Sequence, residues 1–133
     1  MKKFQQIGKM FKTNNMKTLQ LIIKQKFFDE IIAGIKKQEF RECKPTTYKK
    51  YFEVDDKGYC IMENDEFIPQ KYDAIRFYVG YNPDRATALV EVTGAYIEFF
   101  EDENHDLIEY EYKGRYYVAS QIVYNLGKVL EKN

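Results

Sequence analysis

Residues 27–43 read FFDEIIAGIKKQEFREC, and the period of their side chains changes halfway. Phe28, Ile31, Ile32 and Ile35 recur at i, i+3, i+4 and i+7, which gives a short helix one apolar face. Gly34 stands where a left-handed residue ends such a helix. From there the period is two. Lys37, Glu39 and Arg41 point to one side of a strand, and Gln38, Phe40 and Glu42 to the other. A charge row of this kind is unusual on an apolar scaffold, and it is the candidate site. Lys36 or Lys37 and Arg41 supply donors for a phosphate or a base carbonyl, while Glu39 accepts from an exocyclic amine or handles a proton. The structural alternative is a solvated row of mutually paired charges worth about 0–1 kcal/mol.

An apolar strand, Leu19-Gln20-Leu21-Ile22-Ile23-Lys24, precedes this stretch. Strand, short helix and the pattern Gly34-x-Lys36-x-x-Glu39-x-Arg41 together resemble the motif of ASCH domains, which are related to the PUA RNA-binding fold. Ile122 to Glu131, reading IVYNLGKVLE, resembles the closing strand of that family. The resemblance covers about Thr18 to Glu131. It implies an α+β, mainly β class: a small PUA-like β-barrel with one or two short helices, the last strand closing the sheet near the first. It also implies that Lys36, Glu39 and Arg41 lie at a ligand cleft.

Some proteins of this type are amidohydrolases acting on acetylated cytidine, with a Lys matching Lys36 and a Thr three residues on; this chain has Glu39 there. Others are ribonucleases using Lys, Tyr and Ser, residue types that Lys36, Tyr124 and Ser120 supply. If the chain is an enzyme, Lys36 and Glu39 are its catalytic candidates. A Glu beside a Lys favours the charged ammonium, which opposes use of that Lys as base or nucleophile and turns the expectation toward binding.

The bulk properties fit one domain. The chain has 133 residues, 44% hydrophobic and 17% aromatic, enough for a single core. Residues 1–17 read as a basic extension, disordered or a short helix, and 18–133 as the domain. No apolar run approaches the roughly 18 residues of a membrane span, and Met1-Lys2-Lys3-Phe4 leads into no apolar core of a secretion signal. A cytoplasmic protein without membrane contact is expected. Two cysteines, Cys43 and Cys60, make neither a disulfide framework nor a zinc ligand set, and the single histidine, His105, sits in an acidic turn. No metal and no cofactor are expected.

Net charge is zero, yet the first fifty residues hold thirteen basic and four acidic side chains. Either the basic half forms a surface for phosphates, or it packs against the acidic half. Thr46 to Tyr51, reading TTYKKY, interleaves aromatic and basic residues as single-strand binders do, or is a loop pinned by its tyrosines. Tyr48 and Lys49 are therefore candidate outer contacts, together with Arg76 and Tyr78 on the strand Tyr72 to Val79. The expected partner is RNA or a nucleoside-like small molecule, bound by a monomer or a weak homodimer. A competing reading makes the aromatic-rich surface a dimer interface.

Hairpins are expected where Asp55-Asp56-Lys57-Gly58 and Lys113-Gly114-Arg115 separate apolar runs. Gly94 is expected to bend or bulge the chain between strands 86–92 and 96–100.

Overall fold

A computed structural model describes residues 15–133. The expected basic extension falls mostly on 1–14, outside the described residues. Among the described residues the chain is mainly β with one α-helix. In order, it forms β1 (Thr18–Ile23), α1 (Gln25–Ile32), β2 (Gln38–Glu42), β3 (Met62–Glu63), β4 (Glu66–Phe67), β5 (Ala74–Val79), β6 (Thr87–Phe99), β7 (Glu109–Tyr112), β8 (Arg115–Val118) and β9 (Ser120–Lys132). A 3-10 turn lies at Tyr48–Lys50. Contacts divide these elements into two compact units, one made of residues 15–37, 72–93 and 126–133, the other of 38–71 and 94–125.

In the first unit β1 pairs parallel with β5, placing Leu21 opposite Phe77, and β5 pairs antiparallel with β6. Leu19, Leu21 and Ile23 of β1 are buried, as are Phe28 and Ile31 of α1 and Ile75 and Phe77 of β5. On β6 Ala88, Leu89 and Val90 are all buried, so this strand contributes both faces to the interior. That continuous run is the pattern of a strand covered on two sides.

The end of α1 follows its glycine. Gly34 adopts φ +76°, its N–H donates to the Ile31 carbonyl at 3.0 Å, and the Ile35 N–H donates to the Glu30 carbonyl at 2.9 Å. These two bonds satisfy last-turn carbonyls that the helix leaves open. The chain turns away there, so Ile35, expected on the buried face, is 73% exposed instead.

In the second unit β2 pairs antiparallel with β9, Glu39 facing Tyr124 and Arg41 facing Ile122. β7 and β8 form the hairpin expected near Lys113, and the turn is two residues, Lys113 (φ 49°) and Gly114 (φ 79°). Two consecutive positive φ values match the right-handed twist of the flanking strands, and Arg115 is already in β8. The other expected hairpin is reduced to a Val54–Cys60 bridge, closed by the Asp55 N–H donating to the Tyr59 carbonyl at 2.8 Å. The Asp55 carboxylate takes the N–H groups of Lys57 and Tyr59, an acidic side chain used to shape a turn.

Three expectations change. β2 begins at Gln38, which leaves Lys36 and Lys37 outside the strand. β6 runs without interruption through Gly94. β9 lies between β6 and β2 in the sheet order, whereas β1 has β5 as its neighbour; the last strand is not the partner of the first. Among the described residues no helix is long and apolar enough to cross a membrane.

Candidate functional site

β2 is inverted relative to hydropathy. Glu39 is buried at 6% exposure while Phe40 next to it is 43% exposed. Strand alternation puts Glu39, Arg41 and Cys43 on one side, and the antiparallel register sets them opposite Tyr124, Ile122 and Ser120. Tyr124, Ile122 and Ser120 are themselves buried, so the charge row faces inward.

Burying a carboxylate is costly unless a charge and hydrogen bonds replace its water. Glu39 has both. Arg41 Nη2 donates to Glu39 Oε2 at 3.4 Å, and the Phe40 N–H donates to Oε1 at 3.1 Å. The Arg41 side chain keeps 27% of its surface in solvent. The arrangement is a guanidinium oriented from below by a buried acid and open to water at its edge. Lys44, Lys49 and Lys50 follow on exposed positions of the same unit, after the segment 44–47 is closed by the Lys44 N–H donating to Thr47 Oγ1 at 3.0 Å.

Tyr48, expected as an outer contact, is inside. Its ring is buried, meets Phe52 and Tyr117 edge-on, and its hydroxyl donates to the Gly58 carbonyl at 2.6 Å. Burial raises its phenol pKa above the ordinary value. Lys49 is exposed, and its side-chain end lies over Gly58.

The remaining candidates belong to the first unit. Lys36 holds its ammonium 5.6 Å from the centre of the Phe27 ring. Arg76 forms an ion pair with Glu131 at 2.6 Å, and the Arg85 guanidinium stacks 4.4 Å above Tyr78 while donating to the Gly80 carbonyl. Both Arg76 and Tyr78 therefore have partners within their own unit. His105 has a side chain 88% exposed, 3.3 Å from Glu101 in the acidic turn.

A feature that sequence reasoning missed is a cavity of about 190 Å³ in the second unit. Its walls are aromatic, Tyr48, Phe52, Phe67 and Tyr117 among them, with both thiols, Ser120 and Arg115. Cys43 brings the inward face of β2 to this cavity, two residues beyond Arg41. Cys43 is buried and its thiol pKa is pushed up to about 11, chiefly by desolvation; burial raises that of Cys60 as well. Both cysteines are free. Reactive thiolates need the opposite shift, so neither is poised as a nucleophile.

The charge split is partly a split between units. The second unit holds eight basic and fifteen acidic side chains. What the fold defines is a mainly β, α+β chain whose second unit pairs a buried acid with a partly exposed guanidinium. Comparison of the chain with protein-family models, with curated proteins and with solved structures finds no match.

Proposed function

We propose that this chain is an ASCH-like, PUA-related domain that binds a nucleotide-like ligand or a short stretch of RNA through Glu39 and Arg41. One observation supports this most: β2 turns Glu39 and Arg41 inward and Phe40 outward. A strand that buries its acid and exposes its phenylalanine sacrifices apolar burial, and such conflicts between local pattern and fold are expected at functional sites. The motif Gly34-x-Lys36-x-x-Glu39-x-Arg41 contributes the same residues from the side of family resemblance.

The chemistry follows from the side chains. A guanidinium presents planar donors suited to a phosphate or a base carbonyl, and the carboxylate accepts from an exocyclic amine. Holding the pair together before binding reduces the side-chain ordering that binding would otherwise require. The acidic excess of the second unit repels a long phosphate tract, so a single nucleotide or a few residues of RNA is the better ligand.

Nuclear magnetic resonance of the Arg41 side-chain Nε–H during titration with cytidine 5′-monophosphate tests this directly. The Arg41 signal and the β2 amides shift together and saturate; a saturable change that bypasses them assigns the ligand elsewhere. Acetylated cytidine belongs in the same series. Release of acetate by the wild type, abolished in Lys36→Ala, would make the domain a hydrolase.

A further inference from the structure

The aromatic cavity of the second unit carries chemistry that the Glu39–Arg41 pair does not use. Its floor is formed by buried groups, Cys43, Tyr48, Phe52 and Ser120. Its mouth is formed by Arg115, half-buried, and by Tyr59, 57% exposed. The Arg115 guanidinium stacks 4.5 Å above the Tyr59 ring. Among the described residues, no Asp or Glu oxygen forms an ion pair with Arg115. An arginine without an acid, at the entrance to an aromatic chamber in a unit rich in acids, is the feature to explain.

We propose that this cavity binds one planar aromatic ring bearing an anionic group, with the ring among the aromatic walls and the anion on Arg115. Size sets the ring count. At about 190 Å³ the chamber is below the ~300–1,000 Å³ of pockets that bury a whole drug-sized ligand, so it takes a single ring system. Wall chemistry sets planarity, because Tyr48, Phe52, Phe67 and Tyr117 present ring edges and faces in mutual contact and offer offset or edge-on partners to another ring. Arg115 sets the charge. Its guanidinium has a π-face beneath it and the Tyr48 hydroxyl as a hydrogen-bond partner, which together hold its plane and leave its other in-plane donors to meet an oxyanion. Either a free aromatic acid or a nucleoside monophosphate presents this chemistry.

Thiol modification reads the site without an assumed ligand. Cys43 and Cys60 are the only cysteines, and both line the cavity, so an occupant shields them from iodoacetamide. Full-length protein is alkylated in the presence of 4-hydroxybenzoate, cytidine 5′-monophosphate, neutral benzyl alcohol or non-planar cyclohexanecarboxylate. Affinities come from the concentration dependence of the Cys60 rate. At least one planar anion slows Cys60 alkylation saturably, and the neutral and non-planar probes do not. Which of the two planar anions protects identifies the source, acid or nucleotide. Arg115→Gln weakens that protection about tenfold or more, the scale of one charge-assisted hydrogen bond, and Arg115→Lys restores part of it. In folded Arg41→Gln the planar anion that protects Cys60 in the wild type still does so, which separates this site from the Glu39–Arg41 pair. Thermal melting confirms that the variants are folded. No protection by either planar anion, or equal protection in wild type and folded Arg115→Gln, overturns the proposal.

Discussion

Glu39 and Arg41 stand two residues apart on the inward side of β2, their Oε2 and Nη2 atoms 3.4 Å apart, the acid buried and the guanidinium partly in water. The two partners are therefore unequal. Removing Arg41 takes a positive charge away from a carboxylate in the interior, whereas neutralising Glu39 acts on a guanidinium that water already reaches.

That inequality predicts an order of stabilities. Arg41→Gln destabilises the fold by about 1–3 kcal/mol, less than the 3–5 kcal/mol of a fully buried broken pair because Arg41 is partly solvated. Glu39→Gln costs less, and the double variant recovers part of the Arg41→Gln loss. Urea unfolding of the three variants checks the order; an Arg41→Gln midpoint equal to that of the wild type contradicts it.

Tyr48→Phe removes the hydroxyl that donates to the Gly58 carbonyl at 2.6 Å. The carbonyl then loses a partner within a buried neighbourhood, and a loss of about 1–2 kcal/mol is expected. A variant as stable as the wild type shows that the bond contributes nothing net.

Alkaline pH acts through Cys43. Its thiol pKa lies near 11 against an ordinary 9.0, because burial penalises the thiolate. The folded state holds this proton more tightly than the unfolded chain, so the stabilisation is intact below pH 9 and is lost as pH rises toward 11. The urea midpoint of Cys43→Ala consequently falls less steeply than that of the wild type between pH 8.5 and 10.5, a window of about two units that brackets the raised thiol. Parallel curves would mean that the thiol does not titrate in this way.

Gly127 in β9 faces Glu91 and Thr93 of β6 so closely that a Cβ there would collide with the Glu91 carboxylate and stand 2.9 Å from Thr93 Cγ2. Gly127→Ala is expected to cost about 1 kcal/mol, less than an overpacking change in a core, because Gly127 is exposed and the Glu91 carboxylate can swing aside. Glu91→Ala in the same chain relieves the longer and more flexible of the two clashes and returns part of the loss, as calorimetric melting would show.

Much of the local structure was legible because it is written at short range. The i, i+3, i+4 spacing of Phe28, Ile31 and Ile32 and the glycine after them are enough to place α1 and its end, and Lys113-Gly114 is enough to place a tight hairpin. β2 was legible as a strand but not as an inverted one. Each of its faces carries charge, Glu39 and Arg41 on one and Glu42 on the other, so hydropathy alone does not decide which is buried; pairing with Ile122 and Tyr124 decides it. The order of β9 in the sheet and the cavity were not legible. The cavity collects Cys43, Gly58, Phe67, Phe99 and Arg115 from segments far apart in the chain, and Arg115, counted as a turn residue, gave only the signal of a lone basic group among the tyrosines at 110, 112, 116 and 117.

The most direct measurement is the affinity of a fluorescently labelled single-stranded pentaribonucleotide for wild type, Glu39→Gln and Arg41→Gln, across a salt series and with each variant's folding verified. Wild type binds with an affinity that falls as salt rises, and Arg41→Gln binds about tenfold or more weakly with a salt slope smaller by about one. Identical affinity and slope in folded Arg41→Gln would remove the guanidinium, and with it the proposed nucleotide site, from this fold.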